Sequence, residues 1–493
     1  MQRGREQLIL YLRKFRNKLK GKNRIYVTQI VRLLDSLIAY LQPKSTSRTP
    51  KDGEVQINEL LNSKGVDQIN LFKLNTYIHE SRLARKVDGY TLHTGAKDQA
   101  EQQVSLEHLA TPVLMQIQSF MLALMNPSSE GRFFFSIDES DISLSYMLLD
   151  AAPHFQTIVS SARSVILAGG TMSPIDDYLT HLLPYVDKER LMTLSCSHIV
   201  PSSSLVVYPL SQGPGGEDFE FTFEKRGKRD LIIAAGKALL QIISVVPDGV
   251  VAFFASYSYL ETCLEIWSSA KLPTSRGHSN TLLEALRDKK PLFCEQKTSS
   301  QSGKSITQSF KSTTATSSSN TTAESILTSY TNAIRQPSTP SRGALLLAVL
   351  SGSLSEGINF SDSLGRCVVV FGLPFPNPQS ATWKAKRAYI SQKANSAARD
   401  SGKNVTEAEQ MGQQAAAEFY LNSTMRAVNQ AVGRAIRHKG DYAAIVLIDK
   451  RYESERVKTK LPGWMKESIV SGKNVGAVAD GLVEFFEAKN GAG

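Results

Sequence analysis

From about residue 186 onward, short apolar runs alternate with stretches of helical periodicity, and this alternation constrains the fold more than any other feature. The runs are "SLVVYPL", "GVVAFFA", "ALLLAVL", "CVVVFGL" and "AAIVLID", with the helical patterns "DLIIAAGKALLQIISVV" and "YSYLETCLEIWSSA" among them. Runs that are apolar at every position, and not only at every second one, belong to strands covered on both faces, so the pattern predicts βαβ units around a parallel sheet. Residues 1 to about 125 differ. In "IYVTQIVRLLDSLIAYLQ" the positions Ile25, Val27, Ile30, Leu33, Leu34, Ile38 and Leu41 recur mostly at steps of three and four, which predicts a mainly helical section. Between them, "SVILAGGTMSP" reads as a buried strand feeding a turn at Gly169, Gly170 and Thr171.

At 493 residues the chain has room for two to four domains. No run of about eighteen uninterrupted apolar residues offers a membrane span. The start, "MQRGREQLILYLRKFRNKLKGKNR", is basic with interrupted apolar residues, which predicts an exposed amphipathic helix and no secretory leader. Lys and Arg number 57 against 46 Asp and Glu, and the resulting +11 favours polyanionic partners such as nucleic acid. The four cysteines, Cys196, Cys263, Cys294 and Cys367, form no C-x-x-C pair, so neither a disulfide framework nor a zinc site is signalled and a reducing intracellular compartment is expected.

Three stretches resemble chemistry. "QSGKSIT" carries Gly303, Lys304 and Ser305, the tail of a phosphate-binding G-x-x-x-x-G-K-[ST] loop, but Thr298 stands where the first glycine belongs and the surroundings are low-complexity. "FFFSIDESD" has the outline of a magnesium-holding box at Asp138, Glu139 and Asp141, yet nothing before it supplies a phosphate cradle, and it reads as an acidic turn. The third is the pair "LAVLSGSLSEGINFSDSLGRCVVVFGLPFPNP" and "NQAVGRAIRHKGDYA". The first places glycine-rich loops bearing Glu356, Gly357, Asn359 and Asp362 at strand ends. In the second, steps of four and then three set Gln430, Arg434 and Arg437 on one face of a helix, a fork suited to a dense anion, with Gly433 keeping that face open.

Together with "VILAGGTMSP", "GVVAFFASYSYL", "SRLARKVDGY", "FEFTFEKR" and "LPGWM", these stretches resemble the XPD-like iron-sulfur DNA helicases of superfamily two, closest to the ChlR, or chromosome-loss, branch. The likeness corresponds to motifs III to VI and covers the C-terminal portion of such proteins. It implies an α/β fold: a RecA-like parallel-sheet helicase domain two at 186–462, preceded by a helical arch remnant at 1–127 and the last strands of RecA-like domain one at 128–185, and followed by a tail at 463–493. By the same resemblance Gln430, Arg434 and Arg437 are catalytic residues reaching ATP phosphates. Gly433, Glu356, Gly357 and Asp362 lie at the nucleotide, and Gly170, Thr171, Ser256 and Tyr257 serve coupling and DNA binding. ATP with Mg²⁺ is the implied cofactor set; the iron-sulfur cluster would belong to a preceding region, and no metal site is expected in this chain. Implied partners are single-stranded or forked DNA and proteins of the replication fork and of cohesion. A nuclear place in replication, repair and sister-chromatid cohesion follows from the resemblance. The family's phosphate loop and D-E-x-H box have no counterpart in this sequence, so the chain alone is expected to be inactive. The rival reading is a non-catalytic module binding nucleic acid or a partner protein; an unrelated P-loop kinase is a weaker third.

The Ser/Thr-rich stretch from about Thr298 to Thr322 has too few apolar residues to offset the entropy of ordering it, and reads as a disordered surface insertion in domain two. Its deletion is expected to leave the midpoint of thermal unfolding unchanged. A lowered midpoint in calorimetry would show that the stretch contributes core contacts.

Overall fold

The computed structural model describes residues 1–19, 21–46, 51–62, 65–98, 113–127, 129–137, 142–169, 171–196, 200–272, 280–296, 323–336, 343–350, 352–354 and 360–490. The acidic turn at Asp138 to Asp141 and the insertion at 298–322 lie outside these residues, as do Gly170, Glu356, Gly357 and Asn359. Contacts divide the chain into two units, Met1–Ser161 with Asn377–Ala416, and Ala162–Pro376 with Ala417–Gly493. The division therefore does not follow the series 1–127, 128–185, 186–462 and 463–493 expected from sequence.

In the first unit, helices Gln2–Lys14, Lys22–Leu41, Leu71–Ser81, Leu83–Asp98 and Val113–Leu124 enclose a core that includes Leu8, Ile30, Leu33, Leu37, Leu74, Val87 and Met121. The first of these is amphipathic as its spacing predicts, but its apolar side is not exposed: Leu8 and Tyr11 are buried in that core. A small antiparallel sheet, β1 (Lys51–Val55), β2 (Gly131–Ile137) and β3 (Ile142–Leu148), closes it. Alternation explains the pairing, because Phe133, Phe135 and Ile137 point from β2 into the helical core. Strands β2 and β3 thus complete the helical unit. Helix Ala381–Asp400 belongs here too, with Tyr389 and Lys393 both donating to Asp150, at 2.6 and 2.7 Å.

The second unit is the predicted parallel sheet. Its strands are β4 (Leu205–Leu210), β5 (Gly249–Phe254), β6 (Leu292–Cys294), β7 (Ala344–Val349), β8 (Cys367–Phe371) and β9 (Ala443–Ile448), in the order β4-β9-β8-β5-β7-β6, all parallel. Successive residues go to opposite faces. Val250, Ala252 and Phe254 join a core under helices Arg229–Val245, Tyr257–Ser269, Leu282–Lys289 and Val475–Asn490, whereas Val251 and Phe253 join a second core with Ile326, Tyr330, Met425 and Val428. Helix Val475–Asn490 is thereby part of the layer and not an appended tail. The segment "SVILAGG" forms no strand: residues 164–169 pair with no described strand, and Ile166 is 85% exposed. Its apolar composition gave the strand expectation, but no neighbouring ladder takes up its backbone groups.

Phe254 lies at the centre of the first core. Its ring stacks on Phe371 at 4.6 Å with planes 11° apart and meets Trp267 at 6.1 Å. Phe254→Ala is expected to cost about 3–5 kcal/mol in urea unfolding, since neither ring partner can collapse into the space. A cost under about 1 kcal/mol would mean that the stack is not a packing centre.

Candidate functional site

All six strands of the large sheet point the same way, so the loops after them gather at one edge and the loops before them at the other. At the edge where strands end, β5 leads into Ser256, whose hydroxyl accepts the Tyr259 amide at 3.2 Å and caps helix Tyr257–Ser269. Tyr257 follows, and its hydroxyl donates to the Glu295 carboxylate at 2.9 Å. Glu295, just beyond β6 and 2% exposed, also accepts the Val349 amide at 2.8 Å, the Leu354 amide at 3.0 Å and the Ser353 hydroxyl at 3.0 Å. One carboxylate therefore holds the ends of β5, β6 and β7 together, its charge spread over four donors. Burial, reinforced by the bond to Glu295, pushes the Tyr257 phenol up to about 12, so it remains a donor. Glu295 is absent from the sequence expectations. Its signal is a single acid after the three-residue strand Leu292–Cys294, too short to read as a strand.

The same edge carries a strap. Asp449, fully buried, accepts the Phe221 amide at 3.2 Å and the Arg451 guanidinium at 2.7 and 2.9 Å, and Arg451 also donates to the Phe221 carbonyl at 3.1 Å. Gly372 is needed beneath it: φ is +71°, and an added Cβ would fall 2.9 Å from that of Phe221.

At the opposite edge the geometry departs from the expected arginine face. Helix Val405–Val432 ends before Arg434 and Arg437, so these residues do not share a helical face with Gln430. The chain tightens instead, with the Arg434 and Ala435 amides donating to the carbonyls of Ala431 and Val432, three residues back. The cause is burial: Ala435 and Ile436 turn into the second core, and the Arg437 amide reaches Asp441 Oδ2 at 3.4 Å. Gln430 and the Arg437 side chain are left exposed, and Arg434 is half-buried.

Asp441 organises this turn. Its carboxylate accepts Arg366 Nη1 and the Tyr442 amide, both at 2.9 Å, and the Asp362 amide at 3.3 Å. The Arg366 guanidinium also lies 3.8 Å over the Tyr442 ring. Asp362 is left-handed, with φ +55°, and its own carboxylate meets His438 Nε2 at 2.7 Å. Ligating atoms of Asp362, His438 and Asp441 lie within 4.8 Å of one another. Asp441 already accepts from four donors and faces a guanidinium, so the set does not fit a divalent cation.

Thr171 lies against Gly433. A Cβ on that glycine would come 2.6 Å from the Thr171 methyl, which is the close approach that the glycine permits. Fully buried Asn429 supports the contact by donating to the carbonyls of Ser173, at 3.1 Å, and Lys460, at 2.9 Å. Further along, Asp177 accepts Asn422 at 2.7 Å and Arg426 at 2.6 Å. The expected site residues therefore separate. Ser256 and Tyr257 stand at one edge of the sheet, Asp362 and Arg437 at the other, and residues 350–366 connect β7 at the first edge to β8 at the second.

Residues 239–468 match the family model of the helicase C-terminal domain. The chain is 46% identical to the ATP-dependent DNA helicase chl1 of Aspergillus clavatus over 98% of its length and 62% of that protein, and 45% identical to the chl1 of Aspergillus niger over 99% of its length and 53% of that protein. It thus spans less than two thirds of the curated relatives it matches. A solved structure of S. tokodaii Xpd4 superposes with a TM-score of 0.47 at 14% identity, covering 95% of this chain and 71% of that one, too loosely to bear on the site.

Glu295→Ala leaves the amides of Val349 and Leu354 buried without an acceptor, at about 1–3 kcal/mol each. A loss of a few kcal/mol is expected in urea unfolding, with faster hydrogen exchange at residues 349–354. Glu295→Gln keeps one carbonyl oxygen and should lose less. Unchanged exchange in Glu295→Ala would remove Glu295 from its role as anchor.

Proposed function

We propose that this chain is the C-terminal portion of an ATP-dependent DNA helicase of the chl1 type, coupling ATP hydrolysis to translocation along single-stranded DNA and to unwinding of the duplex. The observation that carries this reading is the two-edged sheet: an arginine-bearing turn at one edge, a loop fastened by Glu295 at the other, and one segment running between them. A motor must transmit the state of a nucleotide to a grip on DNA, and a segment held at both ends is a means of doing so.

In this proposal Arg437, exposed on the turn that Asp441 shapes, neutralises charge developing on the transferred phosphoryl group, with Arg434 and Gln430 beside it. Gly433 admits Thr171, through which, with Gly170, the turn senses its neighbours. Glu356, Gly357 and Asp362 complete the nucleotide side. Ser256 and Tyr257 serve the DNA side: the α-helix begun by Ser256 offers free amides to a phosphate, while Tyr257, its hydroxyl turned inward to Glu295, positions that helix start. Mg²⁺ would supply neutralisation of the phosphate oxygens. The Asp362, His438 and Asp441 set does not fit it, so the ligands are assigned outside this chain. The iron-sulfur cluster is likewise assigned outside this chain, and a nuclear role in replication, repair and cohesion is proposed from the resemblance of its motifs to the chromosome-loss branch.

No G-x-x-x-x-G-K-[ST] sequence occurs in the 493 residues, which favours DNA binding without ATP turnover by this chain alone. Contacts to DNA run mainly to phosphate, so affinity for an oligothymidine should fall by powers of ten between about 50 and 200 mM salt if several phosphates are engaged.

The arginine assignment is tested in a fusion of this chain to the region of the Aspergillus clavatus relative that it does not match. Arg437→Ala should lower ATP turnover about a hundredfold or more while leaving DNA affinity intact. Near-normal kcat would return Arg437 to an ordinary solvated side chain.

A further inference from the structure

The strap at 219–226 plays no role in the function proposed so far, yet it ends in an exposed aromatic ring. Phe219 and Phe221 are buried and stack 5.8 Å apart. The backbone around them is fixed by Asp449 and Arg451 and by the Lys450 amide, which donates to the Phe219 carbonyl at 2.7 Å. Glu220, between these two residues in sequence, accepts Lys225 and Lys450, each at 2.7 Å. Phe223 continues the every-second-residue series but is 66% exposed. An isolated exposed phenylalanine is ordinary; one on a fastened mount with a cation already against it is less so. The Arg226 guanidinium lies 4.9 Å from the Phe223 centroid and 5.9 Å from that of Tyr259, in the first turn of the helix that Ser256 caps.

Charge points the same way. Residues 225–229 carry Lys225, Arg226, Lys228 and Arg229. Lys225 is engaged by Glu220, and Arg229 donates to the Ser269 hydroxyl at 3.0 Å. Arg226, stacked on the ring, and exposed Lys228 stand at the edge of the sheet where Ser256 lies. An aromatic face beside basic groups is the arrangement that holds a single strand, the ring taking a base and the cations the backbone.

We propose that Phe223, stiffened by Arg226, is a stacking platform for one base of single-stranded DNA, with Arg226 and Lys228 meeting the adjoining phosphates. The inference rests on the proposed DNA-binding function and adds a base contact to it. Because every base has a π-face, the platform grips without sequence preference, as a translocating motor requires.

The test uses the full chain and two probes of equal length at fixed salt: a labelled oligothymidine and the same deoxyribose-phosphate chain without bases. Phe223→Ala and Phe223→Leu should each bind oligothymidine about tenfold more weakly than wild type by fluorescence anisotropy, with affinity for the abasic probe unchanged. Phe223→Trp should bind at least as tightly as wild type, and oligothymidine should quench its fluorescence beyond what wild type shows, whereas the abasic probe should not. Equal melting temperatures would separate binding from folding, and the leucine variant keeps apolar bulk if alanine lowers the melt. Wild-type affinity in both ring-deleted variants, or equal losses on both probes, overturns the platform while leaving the DNA-binding function in place. No binding of oligothymidine by the wild-type chain overturns both.

Discussion

A parallel sheet covered on both faces has no room for chemistry within it. In the strands β4, β5, β7, β8 and β9 every residue is buried, backbone groups are spent on the ladder, and side chains alternate between two apolar cores. Every group able to bind an anion or move a charge is thereby driven to the strand ends. Because the strands are parallel, those ends form two distinct edges, and the connections between strands must travel from one to the other. The separation of the candidate residues into two sets is a consequence of strand direction, not of local sequence.

What makes the edges definite is a small group of buried carboxylates. Glu295, Asp441, Asp449 and Asp177 are each less than 10% exposed; the first three each accept hydrogen bonds from separate segments, and Asp177 accepts two from the helix Val405–Val432. A buried carboxylate is costly unless its lone pairs are filled, and once they are filled, removing a donor segment exposes that cost again. Each acid therefore specifies one arrangement of its loops. The same satisfaction leaves them poor candidates for catalysis or metal binding; the exposed groups nearby, Arg437, Phe223 and Lys228, are the ones left to meet a ligand.

The large sheet was legible because burial on both faces writes an unbroken apolar run, and the five longer strands stand where such runs occur. The three-residue β6 and the antiparallel hairpin of β2 and β3 were less legible, the first from brevity and the second because "SLSYML" alternates weakly and only pairing with "RFFFSI" gives it an inner face. The strand expected at "SVILAGG" failed for the converse reason: an apolar run states a preference for burial, and burial requires a neighbour. The arginine face failed on a finer point. Steps of four and three hold only while the helix continues, and the burial of Ala435 and Ile436, visible as two apolar residues between the arginines, ends it. How the loops are held, through Glu295, Asp441 and Asn429, was not legible, since each has partners far away in sequence.

The segment between the two edges is held unequally, and the inequality has a direction. At its start, Glu295 takes the amides of Val349 and Leu354 at 2.8 and 3.0 Å in a position 2% exposed, where water cannot compete. At its end, Asp362 donates its amide to Asp441 at 3.3 Å, keeps a left-handed backbone and leaves more than half its side chain in solvent. A non-glycine residue in that conformation carries about 1–3 kcal/mol of strain, comparable to the whole value of a long, partly solvated hydrogen bond. The Asp362 end is therefore nearer to balance than the Glu295 end. It is also the end that shares Asp441 with the amide of Arg437, so a force on the arginine turn reaches the connecting segment at the more weakly held of its two described ends.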